Sequence, residues 1–178
     1  MGFFKRMRVI MQARRYGARY CRKIIRTAED VGIPVALGFA LVEQESSFRN
    51  IFGSDPLLKM RWQGPASYLF LIGIMGEQVT EKRYKKYRTL RKAGWGMQGV
   101  GLTQLTWYEF QNAADELGGC WKTEPQLQVG FQLVKALIDQ HGDHTGLARY
   151  NGYGPAAELY ATSVLQRKDR WQRRLFNK

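Results

Sequence analysis

The sequence predicts a mainly α fold: a single domain over residues 1–178, with a helical bundle arranged around one glutamate-bearing helix and a small β or irregular lobe beside it. Three observations predict it. Apolar residues recur at three- and four-residue spacings through most of the chain, the period of helices with one buried face. Glycine and proline interrupt that pattern at Gly32, Pro34, Gly118, Gly119 and Pro155, where helices stop and start. Between Asn50 and Pro65 the helical period is lost and turn residues take over.

Residues 5–28 form the first predicted helix. Ile10, Ala13, Tyr16, Tyr20, Ile24 and Ala28 make its apolar stripe, and Gly17 is a candidate break. A second helix covers about 35–48, with Pro34 at its start, where a missing N–H does no harm. Asn50, Gly53, Ser54, Asp55 and Pro56 are then turn residues, and Gly64-Pro65 is a further turn. The apolar run Tyr68–Met75 is a buried strand or a short helix, and periodicity does not decide between them. Thr80 is placed to cap a basic helix over about 81–92. Tyr84 and Tyr87 share one side of it, suited to packing or to stacking on a sugar. Gly94, Gly96, Gly99 and Gly101 imply a tight backbone or the close approach of a ligand. They are not a phosphate loop, since no Gly-Lys-Ser/Thr follows.

Thr106 and Glu109 read as a capping box for a helix over about 107–117, stopped by Gly118-Gly119. A helix over about 124–140 turns Leu127, Phe131, Val134 and Ile138 inward. Residues 145–150 make a short turn or helix, and 148–154 a glycine-rich loop. Pro155 opens a last helix to about Arg167, and a basic tail follows.

In the second helix Leu37, Leu41, Glu45 and Phe48 fall on one face, at spacings of four, four and three. An acid on a buried stripe costs free energy unless it is paired or protonated. Burial favours the protonated carboxyl, and that form near neutral pH is what general-acid catalysis needs. Glu45 is therefore the candidate catalytic residue. The bland alternative is a helix-end glutamate leaning into water. Glu43 points nearly the opposite way and reads as solvent dressing.

Composition narrows the function classes. The chain is 44% hydrophobic and 13% aromatic, a globular composition rather than a disordered one. No apolar run is long enough to span a membrane. The basic start, Met1 to Arg8, is not followed by a secretory h-region or cleavage site. Cys21 and Cys120 are expected as reduced thiols in a protein made in a cytoplasm. His141 and His144, with Asp143 in an expected loop, lack metal-site spacing, so neither metal nor cofactor is expected. The net charge is +13. Nine basic residues and no acid lie between Lys5 and Arg26, and seven and no acid between Lys82 and Lys92. Six basic residues and one acid lie between Arg167 and Lys178. The charge thus sits on segments separate from Glu45. It suits a polyanion: nucleic acid, an anionic membrane or an anionic bacterial wall.

Three separated segments carry a resemblance. Ala40-Leu41-Val42-Glu43-Gln44-Glu45-Ser46-Ser47-Phe48 resembles the Glu-Ser-x-Phe motif of soluble lytic transglycosylases and goose-type lysozymes. Gly99-Val100-Gly101-Leu102-Thr103-Gln104 is similar to that family's Gly-Leu-Met-Gln segment. Ala148-Arg149-Tyr150-Asn151-Gly152, then Tyr160-Ala161-Thr162-Ser163-Val164-Leu165, resembles its Ala-Tyr-Asn-Gly and Tyr-Ala-x-x-Val-Leu ending. The order is the family's, over about residues 20–167. The text from Met97 to Phe110 also resembles wall lysins of phages that infect actinobacteria.

The resemblance implies a lysozyme-like α+β fold, its β lobe flanking a cleft. It implies cleavage of the β-1,4 bond between N-acetylmuramic acid and N-acetylglucosamine in peptidoglycan. Glu45 would be the acid/base, with Ser46, Gln104, Tyr150 and Asn151 lining the cleft. Their bland alternatives are a helix-end hydroxyl for Ser46, backbone caps for Gln104 and Asn151, and core for Tyr150.

Departures matter too. About 55 residues separate Glu45 from Gly101, so an insertion over about 56–93 is expected to fold over or beside the cleft. Thr103 stands for the motif's Met, and Met97, Gln98 and Thr106 surround a segment where goose-type enzymes carry acids. Glycosidases usually employ two carboxylates, and Asp55 is the local candidate for activating water. If Asp55 is only an Asx-turn residue, Glu45 acts alone and the muramic 6-hydroxyl closes an anhydro ring. The expected protein is a monomer acting at the bacterial wall, as a phage lysin or virion-associated enzyme. Its basic surface would hold anionic wall polymers, with no specific nucleic acid. The alternatives are a non-catalytic wall-binding or virion structural module, or a nonspecific nucleic-acid-binding basic protein.

Overall fold

The computed structural model describes residues 1–54, 71, 73–92 and 98–177. The protein is mainly α. Among the described residues, eight helices of nine or more residues follow in order. They are α1 (Phe3–Arg15), α2 (Cys21–Val31), α3 (Val35–Ser46), α4 (Glu81–Lys92), α5 (Tyr108–Glu116), α6 (Thr123–His141), α7 (Asp143–Asn151) and α8 (Pro155–Phe176). The chain divides into two compact units. One comprises Met1–Phe48 and Gly130–Lys178, the other Arg49–Val129, so α6 begins in the second and ends in the first.

In the first unit α2 and α8 pack on α3, α7 packs on α8, and α1 packs on α2 and α8. α3 is the centre, and its sequence explains why. Ala36, Leu37, Gly38, Phe39, Ala40, Leu41 and Val42 are buried in succession, so its first two turns have no solvent face. The expected stripe is real at Leu37 and Leu41, but it is one side of a helix buried all round. A Cβ at Gly38 would lie 3.2 Å from the Phe131 ring and 3.4 Å from Ala28 Cβ, so glycine lets α2 and α6 close on α3.

The expected helix 5–28 is two helices. Gly17 (φ 80°) and Tyr20 (φ 55°) both take the left-handed conformation between α1 and α2, and no helix runs through it. The expected end of the second helix also moves. α3 stops at Ser46, because Ser47 and Phe48 are left-handed (φ 50° and 59°). Phe48 is nonetheless buried, with ring centres 6.3 Å from Phe39 and 5.8 Å from Trp171.

The basic tail expected after Arg167 is a continuation of α8 to Phe176. Among its buried residues, Tyr160, Val164, Trp171 and Leu175 follow at spacings of four, seven and four. Trp171 is fully buried, stacked on Phe39 at 5.0 Å. Arg167, Arg170, Arg173 and Arg174 interleave with Trp171 and Leu175 and disguise that stripe in the sequence. Ala148–Asn151, expected in a loop, complete α7. His141 and His144 likewise sit on helices α6 and α7 rather than in a loop.

In the second unit the core joins Phe52, Leu71, Ile74, Val79, Tyr84, Tyr87, Val100, Leu105, Ala114, Cys120 and Val129. Tyr84 and Tyr87 are fully buried, so they pack and do not stack on a sugar. α4, within the expected insertion, is therefore a core element of this unit. Its cap is the expected one, with Arg83 N–H donating to Thr80 Oγ1 at 3.3 Å. Thr106 does not cap α5: its hydroxyl donates to the Gln104 carbonyl, and Trp107 holds the cap position without a side-chain bond. Where a β lobe is expected, the described residues form three single bridges, Ile51 with Gln78, Phe52 with Met75 and Phe52 with Val100. Residues 55–70 of that region lie outside the described residues.

Candidate active site

Glu45 lies in the last turn of α3 and is half-buried. Tyr160, on α8 and buried, donates its phenolic hydrogen bond to Glu45 Oε1. Tyr150, near the end of α7, sets its ring 6.5 Å from that of Tyr160 at 27°. Three helices thus bring one carboxyl and two aromatic rings together.

The phenol is a durable donor. Burial above all, then the Glu45 charge, Tyr150 and the hydrogen bond to Glu45, hold the Tyr160 pKa well above its ordinary value. Tyr160 therefore keeps its proton at neutral pH. It orients the carboxyl and does not compete with it as a base.

The residues beside Glu45 fix the helix end. Gln44 Oε1 accepts from Ser163 Oγ at 3.0 Å and from Arg167 Nε at 2.7 Å. Glu43 is not solvent dressing: its Oε2 accepts from Trp171 Nε1 at 3.0 Å and Arg170 Nη2 at 3.3 Å, with Arg167 Nη1 at 3.6 Å. Two turns of α8 thus grip successive residues of α3. Ser46 is buried and its hydroxyl donates to the Val42 carbonyl at 3.1 Å, a bond along the helix.

Of the other expected site residues, Asn151 ends α7 and is exposed. Gln104 belongs to the second unit, in a left-handed conformation (φ 47°). Its amide nitrogen donates to the Gly101 carbonyl at 2.7 Å and the Ile51 carbonyl at 3.1 Å. Asp55 lies outside the described residues. The close approach expected at Gly101 is to the Gln126 side chain, which a Cβ there would meet at 2.0 Å. Gln126 in turn accepts from Leu102 N–H and donates to Asn50 Oδ1 and the Cys120 carbonyl.

Compared with known protein families, curated proteins and solved structures, the chain matches none. The site is therefore read from its own chemistry. Among the described residues no group of three His, Cys, Asp or Glu side chains could hold a metal ion. Cys21 and Cys120 are free and buried, and among the described residues no helix is long and apolar enough to cross a membrane. A cavity of about 260 Å³ in the second unit is lined by Arg91, Lys92, Tyr108 and Asn112, and none of these is an acid.

Sequence reasoning passed over Tyr160 and the grip on Glu43 and Gln44. Tyr160 is visible only as the first letter of the Tyr-Ala-x-x-Val-Leu segment. Pairing across 115 residues leaves no local signal.

Proposed function

We propose that this protein cleaves the β-1,4 bond between N-acetylmuramic acid and N-acetylglucosamine in peptidoglycan, with Glu45 as acid and then base. The observation that carries the reading is the half-buried Glu45 carboxyl held by the hydroxyl of the buried Tyr160. The phenol holds Oε1, and the Glu45 carboxyl gives its proton to the glycosidic oxygen. The C1–O bond breaks as that proton arrives, and positive charge develops at C1. The Glu45 carboxylate then takes the proton of the muramic 6-hydroxyl, whose oxygen bonds to C1. The product is a 1,6-anhydro sugar, and no water is consumed.

This lytic transglycosylase outcome needs a single carboxyl. Glu43 is engaged by Arg167, Arg170 and Trp171 and is unsuited to the role of a second one. In the lysozyme-type outcome Asp55 would activate a water instead. The same reading assigns the chain a lysozyme-like fold, with the bridges of Ile51, Phe52 and Val100 in its β lobe. It also places the protein's work at the bacterial wall, as a phage lysin or virion-associated enzyme whose basic surface holds anionic wall polymers.

The test is mass spectrometry of soluble products from purified peptidoglycan, with Glu45→Gln alongside. Anhydro-muropeptides, one water lighter than reducing ones, are expected from the wild type and none from the variant. Reducing muropeptides would replace the transglycosylase outcome by hydrolysis. An inert wild type on several wall chemistries would leave a wall-binding or structural module in its place.

A further inference from the structure

We propose that the outer face of α1 is a docking surface for an anionic phospholipid membrane, on which the helix lies flat. Val9, Ile10 and Ala13 bury the inner face of α1. At 100° per residue the opposite face carries Phe4, Met7, Arg8, Met11 and Arg15. Phe3 is 73% exposed, Phe4 87% and Met11 57%. The two phenyl rings meet edge to face at 5.6 Å. Single exposed apolar residues are ordinary, but Phe4 and Met11 share this face, and Phe3, off the face at the helix start, packs edge-on against Phe4; such a gathering of large apolar side chains marks a contact surface. Arg6 pairs with Glu29 of α2, so the first turn that presents the phenyls is tied down.

The charge around them chooses the partner. α1 contains no acid. Lys5, Arg8, Arg14 and Arg15 are exposed, and among the described residues Arg8, Arg14 and Arg15 make no ion pair. A second copy of the chain would bring the same cations against these, in a protein of net charge +13. A soluble polyanion would satisfy the arginines and leave the phenyls in water. An anionic bilayer surface takes both: phenyls enter the headgroup boundary while lysine and arginine meet lipid phosphates. At 13 residues α1 is about 20 Å long, too short to span, and suited to lying in the surface.

This inference does not rest on glycan cleavage, and its test does not read it. The full chain is floated with phosphatidylcholine vesicles, with and without roughly one third phosphatidylglycerol, at about 0.15 M salt. The partners are a Phe3→Ser/Phe4→Ser variant and an Arg8→Gln/Arg15→Gln variant. Wild type is expected on the phosphatidylglycerol vesicles only. Each variant is expected to bind them about tenfold more weakly or less. Wild type absent from these vesicles overturns the proposal. A serine variant that binds like wild type reduces the contact to diffuse charge and overturns it as well. Sedimentation velocity without lipid completes the test: a dimer of the wild type that the serine variant loses would assign the phenyl face to a second copy.

Discussion

Tyr160 holds Glu45 from the neighbouring helix, donating its hydroxyl to Oε1 across 115 residues of sequence. The rest of α8 makes that contact reproducible. Ser163 and Arg167 take Gln44, and Arg167, Arg170 and Trp171 take Glu43. The carboxyl is thus positioned by a helix locked to its neighbour rather than by a loop.

Tyr160→Phe removes the donor and keeps the ring. Folding stability should change by about 1–2 kcal/mol, the scale of one buried hydrogen bond. Turnover of soluble glycan fragments should fall about 10- to 100-fold in kcat with little change in KM, because orientation and not binding is lost. Steady-state kinetics beside a urea denaturation curve reads both. A variant less stable by that amount but with normal kcat would make Tyr160 a purely structural residue.

Trp171→Ala should cost about 3–5 kcal/mol, because a fully buried indole leaves a cavity against Phe39 and Phe48. It also frees Glu43 Oε2 of its indole donor. A solvated basic tail would tolerate the change, so a loss below about 1 kcal/mol would contradict the continuous α8. For the same reason, removing residues 167–178 should unfold the first unit instead of merely weakening wall association. Circular dichroism of the truncated chain checks this.

Gly101→Ala should destabilise the second unit by about 2–4 kcal/mol. The residue holds φ 80°, and a Cβ would meet Gln126 at 2.0–2.3 Å. Gln126 cannot move aside without giving up its bonds to Leu102, Asn50 and the Cys120 carbonyl. Thermal unfolding with a probe in this unit measures the loss. An unchanged midpoint would mean that the buried Gln126 network has no energetic weight.

Alkaline pH should unfold the protein well before its arginines titrate. Burial, then the charge of Asp115, raises the Cys120 thiol from its ordinary 9.0 to about 12. Burial likewise raises Tyr84, Tyr87 and Tyr160. In each case the folded state keeps a proton that the unfolded state releases. The associated stability is complete below the ordinary value and declines as pH rises through the window up to the folded value. The unfolding free energy from urea curves should therefore stay flat to about pH 8.5 and then fall, by about 1.4 kcal/mol per pH unit for each group involved. Cys120→Ala should reduce the earliest part of that fall, which the Cys21 thiol, also raised by burial, shares. A midpoint independent of pH up to about 11 would contradict the burial of these groups.

By itself the sequence determined the helical character of the chain, most of the stops at glycine and proline, the cap at Thr80, and Glu45 as the acid worth watching. These are local: a period, a cap and a left-handed glycine are written within a few residues of one another. The tertiary structure alone decided that α3 is buried all round, that α8 runs to Phe176, and that Glu43 is a clamp. It alone put Tyr160 on Glu45 and Gln126 against Gly101. Arginines between Tyr160 and Leu175 hide an apolar stripe that becomes a core only once Phe39 and Phe48 face it. A carboxylate on a helix reads as solvated until the chain returns with an indole and two guanidinium groups. Burial and pairing belong to contacts between distant segments, and a single segment carries no record of which partner will remove it from water.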